Sequence, residues 1–177
     1  QEGEGVQLRL YLASEFIEGE SLTARLARGT LDEPALRDLA TQVLRVLQYL
    51  HGQQPPLLHR DLKPDNLLLR PDGSVVVVDF GSARQLVRGD RTHGSTLVGT
   101  FGYMPPEQLG GTVDPSCDLY ALGATLVHLL TGKGPAEMMS PTAQLDFEPH
   151  LPPSVSPGLR GFLRQLLAPR GQRLQTA

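Results

Sequence analysis

The segment Ser116–Leu130 has the sequence pattern of a helix that is apolar on nearly every side. A surface helix keeps a polar face toward water, whereas a helix without such a face must be covered by other elements all round. Gly123 and His128 interrupt the apolar run, which is shorter than the roughly 20 residues that a membrane span needs. With 177 residues, the chain is long enough for one domain buried around this helix and too short for two.

The rest of the sequence predicts the elements that cover this helix. Glu33–His51 is an amphipathic helix with leucines at helical spacing and with Pro34 in its first turn, where proline is tolerated. Leu67–Leu69 and Val75–Val78 form a hairpin across an Asp-Gly turn. Weaker patterns predict a strand at Gln7–Ser14, a short helix at Ser21–Ala27, an irregular stretch from Asp79 to Gly111, a connector at Pro141–Pro157 and a last helix at Leu159–Leu167. We therefore expect an α+β fold that is mainly α.

Composition argues against several classes of function. The formal net charge is −3, only 5% of the residues are aromatic and tryptophan is absent, so we expect no nucleic-acid partner. The single cysteine, Cys117, cannot form an internal disulfide, which fits a reducing, cytoplasmic compartment. We expect Cys117 to be a small buried hydrophobic residue.

The residues with the clearest chemistry lie on either side of the predicted hairpin. They read His59-Arg60-Asp61-Leu62-Lys63-Pro64-Asp65-Asn66 before it and Asp79-Phe80-Gly81 after it. Phosphoryl transfer from ATP to a hydroxyl needs a carboxylate that orients the hydroxyl, oxygen ligands for Mg²⁺ and a cation near the γ-phosphate. Asp61 is such a carboxylate and Lys63 is such a cation. The hairpin folds the chain back so that Asp79 faces Asn66, and one carboxylate with one amide suits Mg²⁺.

This run, with the Asp-Phe-Gly triplet behind it, resembles the catalytic loop and the metal-binding triplet of protein kinases. The resemblance implies that Asp61 is the catalytic base or the group that orients the hydroxyl, and that Lys63 neutralises the γ-phosphate. It also implies that Asn66 and Asp79 hold Mg²⁺. The expected cofactors are therefore ATP and Mg²⁺.

A second block resembles the end of the activation segment of protein kinases. It reads Gly99-Thr100-Phe101-Gly102-Tyr103-Met104-Pro105-Pro106-Glu107, with Pro105 where the family usually has alanine. Together with Lys63, Thr100 matches the serine/threonine branch, and its hydroxyl is expected near Asp61. Three phrases resemble bacterial members of the family: VVDFGSA, GYMPPEQ and DLYALGATLVHLLTG.

The resemblance also assigns structural roles. Glu107 is expected to form a partly buried ion pair with Arg173, although two unrelated surface charges remain an alternative. Asp118 is expected to hold the backbone of the catalytic loop near His59, where the alternative is a first-turn charge that favours the helix dipole. His59 is then structural and packs beneath Phe80.

The opening stretch, residues 10–19, resembles the strand and hinge that grip adenine in kinases. The two backbone groups that bond the adenine edge map to the Glu15 carbonyl and the Ile17 amide, and Ser14 maps to an unusually small gatekeeper. The nucleotide contacts that the resemblance implies are Glu15, Ile17, Ser21, Lys63, Asn66, Leu68 and Asp79.

The same resemblance divides the chain into two parts. Residues 1–20 correspond to the last small-lobe strand and the hinge. Residues 21–177 correspond to the C-terminal lobe, with the catalytic loop at 59–66 and the activation segment at 79–107. The glycine-rich loop and the lysine strand of the small lobe are not in this sequence. We therefore expect a lobe truncated at both ends that, alone, binds Mg-ATP poorly and turns over little.

The activation segment carries a candidate regulatory site. Arg60, directly before Asp61, marks kinases in which phosphorylation orders this loop. Thr96 matches the usual phosphorylated position, and Arg84 matches a second basic contact to the phosphate. The hypothesis is that phosphorylated Thr96 bridges Arg60 and Arg84, and the alternative is that Thr96 is one solvated hydroxyl among several.

The predicted function is transfer of the γ-phosphate of Mg-ATP to serine or threonine hydroxyls of proteins, with self-phosphorylation as a further expectation. One alternative is a pseudokinase, a scaffold or nucleotide-binding module without catalysis. Another is a small-molecule phosphotransferase, which the block from Gly99 to Glu107 disfavours. The sequence leaves the substrate protein, the upstream signal and a membrane tether of the parent protein open.

Overall fold

The computed structural model of the chain describes residues 15–80 and 99–177, together with the backbone of residues 84–85. The predicted strand Gln7–Ser14 lies outside these residues. The described helices are α1 Leu22–Leu26, α2 Glu33–His51, α3 Pro106–Leu109, α4 Pro115–Thr131 and α5 Pro157–Leu167. The described strands are β1 Glu20–Ser21, β2 Leu57–Leu58, β3 Leu67–Leu69, β4 Val75–Val77 and β5 Arg84–Gln85. The predicted class, α+β and mainly α, is confirmed.

Helix α4 is the centre of the core. Pro115 occupies its first turn, the Asp114 carboxylate caps it by accepting from the Ser116 amide at 2.9 Å, and Gly132 ends it in a left-handed conformation with φ 70°. Nearly all of its side chains are buried, as an all-round apolar sequence requires. Cys117 is among them, and burial raises the pKa of its thiol to about 12. In the described part of the chain, no helix combines the length and the apolar character that crossing a bilayer demands.

Helices α2 and α5 pack against α4. Helix α2 has the predicted bounds, because Asp32 caps its first turn through the Ala35 amide at 3.0 Å and Gly52 follows its last residue. Helix α5 begins two residues before the predicted Leu159, because the Ser156 hydroxyl caps it. Their buried faces are Leu36, Leu39, Ala40, Val43, Leu47 and Leu50 on α2, and Leu159, Leu163 and Leu166 on α5.

Two small antiparallel ladders position the loops above this core. The predicted hairpin is present, with Leu67 opposite Val77, and β1 adds a third strand to it. The second ladder pairs β2 with β5. Neither this ladder nor the one-turn helix α3 was expected within the irregular stretch that was predicted from Asp79 to Gly111. Strands of two residues and a helix of four are too short to leave a period in the sequence.

Glu33 connects the beginnings of α2 and α5. Its carboxylate accepts hydrogen bonds from the Ser156 amide at 2.8 Å and from the Ser156 hydroxyl at 2.6 Å, and it also pairs with Arg37. These bonds, with the Ser156 hydroxyl contributing most, lower the pKa of Glu33 from 4.5 to about 2. The carboxylate therefore joins two helices that are far apart in the sequence.

Glu33→Gln is expected to lower the free energy of unfolding at neutral pH. Because the pKa of Glu33 is lower in the folded protein than its ordinary 4.5, the ionised carboxylate stabilises the fold fully above that pH. The stabilisation is lost as the pH falls toward 2. Urea unfolding of both proteins at several pH values should show the difference shrinking below pH 4.5, and a difference independent of pH would contradict the assignment.

Gly123 lies at a tight contact between α4 and α5. A methyl group at Gly123 would lie 2.9 Å from Leu166 Cβ and 3.0 Å from Leu167 Cγ, whereas one at Gly161 would meet no atom within 4 Å. Alanine in place of helical glycine gains about 1 kcal/mol of propensity, while overpacking costs about 1–3 kcal/mol. We expect Gly123→Ala to be less stable than the matched Gly161→Ala by about 1–3 kcal/mol in chemical denaturation. Equal stabilities would mean that the helices separate freely at this contact.

Candidate active site

The backbone directly before Asp61 is held by the buried carboxylate of Asp118. Asp118 has no exposed surface. It accepts hydrogen bonds from the His59 amide at 3.0 Å, the Arg60 amide at 2.8 Å and His51 Nε2 at 2.9 Å. Arg60 has a left-handed backbone, with φ 69°, which is costly for a residue with a Cβ atom. The bond from its amide to Asp118 holds the loop in this conformation.

The His59 ring has structural contacts at both nitrogens. Its Nε2 lies 3.0 Å from the Val78 carbonyl oxygen, and its Nδ1 accepts from the Asp61 amide at 3.3 Å. The ring also makes an edge contact with Phe80, with 5.0 Å between the ring centroids. Because Nδ1 accepts and Nε2 donates, no nitrogen is left to take a proton from a substrate.

Asp61, Lys63 and Thr100 form one polar cluster. The Thr100 hydroxyl donates to Asp61 Oδ1 at 2.8 Å and accepts from Lys63 Nζ at 2.7 Å. Lys63 Nζ also lies 3.0 Å from Asp61 Oδ2. The structure thus joins the catalytic loop to the end of the activation segment through side chains that are 37 and 39 residues apart in sequence.

The charge state of Asp61 follows from these contacts. Burial alone raises the pKa of a carboxyl group, but hydrogen bonds from Thr100 and Lys63, and a further one from Asn66, outweigh it. The pKa of Asp61 is therefore below its ordinary value, and the group is ionised at neutral pH. A carboxylate offers about four acceptor positions, and these three partners leave room for one more hydroxyl.

Asn66 and Asp79 are neighbours across the hairpin. The Val78 amide donates to the Asn66 carbonyl at 2.9 Å. Asp79 is therefore the residue directly after this bond between the two strands. The side-chain amide nitrogen of Asn66 donates to the Asp61 carbonyl at 2.8 Å, which leaves the amide oxygen as the atom that can bind a cation. Asp79 is exposed, with φ 63°. An amide oxygen and an exposed carboxylate fit Mg²⁺, which takes oxygen ligands and keeps several waters.

The end of the activation segment is attached to the core by an ion pair. Arg173 Nη1 lies 2.6 Å from Glu107 Oε1, and the Arg173 side chain is 1% exposed. Arg173 also donates to the carbonyl oxygens of Ala168 and Ser116. Its guanidinium lies over the Tyr120 ring, 4.9 Å from the centroid. The pair expected from the sequence is therefore present, with Arg173 buried and Glu107 half-buried.

Three further contacts of the site carried no recognisable signal in the sequence. His51 supplies the third bond to Asp118 from the last turn of α2. Gln108 Nε2 donates to the Arg60 carbonyl at 3.2 Å. The Tyr103 hydroxyl lies 2.6 Å from His128 Nδ1, and burial raises the pKa of Tyr103 and lowers that of His128. Each contact links positions that are far apart in the chain, and no local pattern reveals them.

The residues predicted to contact the nucleotide are described in part. Glu15 is exposed and Ile17 half-buried, before β1. Ser21 and Leu68 are cross-strand partners in the small sheet, and the Ser21 hydroxyl also caps α1 through the Ala24 amide at 3.1 Å. Ser14, Thr96 and the side chain of Arg84 lie outside the described residues.

Comparison with known proteins identifies the family. Residues 6–176 match the protein kinase domain. Serine/threonine-protein kinase PknA of Nostoc sp. (strain PCC 7120) is 43% identical over 150 residues, which are 80% of this chain and 25% of that protein. Serine/threonine-protein kinase B of Synechocystis sp. (strain PCC 6803) is 34% identical over 171 residues, 90% of this chain and 29% of that protein.

Similarity extends to plant proteins. The receptor-like serine/threonine-protein kinase ALE2 of Arabidopsis thaliana is 37% identical over 135 residues, which are 75% of this chain and 18% of that protein. The chain thus spans less than a third of each of these relatives. The family predicted from the catalytic loop is confirmed: the chain belongs to the protein kinase family, in the bacterial branch of eukaryotic-type serine/threonine kinases.

Proposed function

We propose that the chain is the catalytic-loop and substrate-binding part of a protein serine/threonine kinase that transfers the γ-phosphate of Mg-ATP to a protein hydroxyl. The observation that carries the proposal is the Thr100 hydroxyl between Asp61 and Lys63. A scaffold needs no such cluster, whereas a transferase needs its carboxylate and its cation held at a fixed distance. Phosphoryl transfer depends mainly on positioning and on charge stabilisation.

Each residue of the proposed site has a role that follows from its charge or its polar atoms. Ionised Asp61 accepts a hydrogen bond from the substrate hydroxyl and orients its oxygen toward the γ-phosphate. Lys63, held by Thr100 and Asp61, neutralises charge on the transferred group. Asn66 and Asp79 are the residues that would hold Mg²⁺. A Mg²⁺ ion held there would supply positive charge that offsets the charge on the phosphate oxygens.

The proposal extends to the adenine and regulatory positions. Glu15 and Ile17 would bond the adenine edge, while Ser21 and Leu68 would lie near the nucleotide. A phosphate on Thr96 would bridge Arg60 and Arg84. The β2–β5 ladder supports this arrangement, because Arg84 is the register partner of Leu58, two residues before Arg60.

Asp61→Ala is expected to lower transfer of labelled γ-phosphate by about 100- to 10,000-fold, the usual contribution of a positioned acid or base. The assay uses the protein that contains the complete kinase domain, with itself and a generic basic protein as acceptors. Asp38→Ala, which removes an exposed carboxylate on α2, is the control and should keep full activity. Mapping the label also tests Thr96.

Three outcomes would count against this assignment. Transfer that survives Asp61→Ala would remove Asp61 from the reaction. If the folded wild-type protein transfers no label, the pseudokinase alternative gains and nucleotide binding becomes the deciding measurement. Label on a small-molecule hydroxyl instead of serine or threonine would favour the phosphotransferase alternative.

Thr100→Val is expected to lower kcat by about ten- to a hundredfold, because it frees Asp61 and Lys63 to move by a fraction of a bond length. Valine keeps the shape of threonine, so thermal stability should change little. Thr100→Ser retains the hydroxyl and serves as the matched control, with kcat near that of the wild type. A serine variant as slow as the valine variant would show that shape at this position, not the hydroxyl, sets the rate.

A further inference from the structure

A cavity of about 350 Å³ lies where α3, the end of α5 and the preceding connector meet α4. Among the described residues that line it, none belongs to the catalytic loop. Small-molecule sites in proteins typically measure about 300–1,000 Å³. The cavity is therefore large enough for a small ring compound, and it is a different place from the proposed site of phosphoryl transfer.

The charges on the cavity wall are already paired. Arg173 lies 2.6 Å from Glu107, and Arg170 pairs with Asp114 at 2.7 Å. An anionic ligand would compete with these carboxylates for the two guanidinium groups. A neutral ligand meets no such competition.

Tyr120 provides a polar group on this wall. The residue is only 3% exposed, but its hydroxyl is not fully buried, and no hydrogen bond joins it to a described residue. Tyr103, another buried tyrosine among the described residues, has His128 as a partner at 2.6 Å. Burial raises the pKa of Tyr120 to about 12, so the hydroxyl keeps its proton and acts as a donor. A phenol hydroxyl with its proton can donate one hydrogen bond to a bound acceptor.

The remaining wall is largely apolar. Leu145 and Leu167 are both half-buried and line the cavity, as does Pro169. Burial of an apolar ring against them is favourable in proportion to the area removed from water. The Tyr120 hydroxyl and the apolar wall together fit a ligand with an apolar body and one acceptor atom.

We propose that this cavity binds a small neutral ring compound that presents a carbonyl-type acceptor to Tyr120 and an apolar face to Leu145 and Leu167. Glu107, at the end of the activation segment, and Arg173 share the wall, so the occupant contacts both members of the buried ion pair. A ligand that binds the folded state and not the unfolded state raises the free energy of unfolding of the protein. This proposal does not depend on the proposed kinase activity.

The test is titration of the intact protein with benzamide, followed by NMR of leucine methyl groups. Saturable shifts are expected at Leu145 and Leu167. Tyr120→Phe keeps the ring and its contact with Arg173 but removes the donor, so the Kd should rise about three- to tenfold, as for loss of one hydrogen bond. Tyr49→Phe, which removes the hydroxyl of an exposed tyrosine on α2, is the matched control and should leave the Kd unchanged.

Several results would overturn the proposal. Absence of saturable methyl shifts at Leu145 and Leu167, an unchanged Kd in Tyr120→Phe, or tighter binding of benzoate than of benzamide would each do so. Asp61→Ala should bind benzamide as the wild type does, so failure of this site is distinguishable from failure of the proposed activity. An unchanged thermal midpoint for Tyr120→Phe shows that a lost affinity does not come from unfolding.

Discussion

The carboxylate of Asp118 lies inside the lobe with no exposed surface, and the geometry of the catalytic loop depends on it. Removing an ion from water costs several kcal/mol even after the protein relaxes. Two backbone amides and His51 offset that cost here. Loss of one partner from a buried charged network typically costs about 3–5 kcal/mol. The buried apolar side chains of α4 keep water away from the Asp118 carboxylate, so these three donors remain its partners.

The activation segment is held by the same core through different chemistry. Thr100 joins it to the catalytic loop, and Glu107 joins it to Arg173 beneath α3. Arg173 in turn bonds the Ser116 carbonyl in the first turn of α4. The segment that ends at Glu107 is therefore fixed against the helix that carries Asp118. A change in the packing of α4 would reach both the catalytic loop and the end of the segment at Glu107.

The sequence predicted the elements whose signals are local and left out those that depend on distant partners. Helix α2 was predicted to its end residues because its apolar period and its first-turn Pro34 lie within one stretch. The hairpin followed from its Asp-Gly turn. The contact of Tyr103 with His128 spans 25 residues and that of His51 with Asp118 spans 67, and neither has a motif. Asp118 and Glu107 were anticipated only because a family resemblance supplied their partners.

Two residues at the site have a strained backbone, and the core around the site restrains them. Arg60 and Asp79 both have a left-handed backbone, with φ 69° and 63°, and such conformations cost about 1–3 kcal/mol each in residues with a Cβ atom. One lies directly before Asp61, and the other is the expected metal ligand. Relaxing either would change the direction of its side chain. Asp118 restrains the first, and the strand pairing that ends at Val78 leads directly into the second. Helix α4 and the small sheet therefore stabilise the backbone conformations of Arg60 and Asp79, which would otherwise relax.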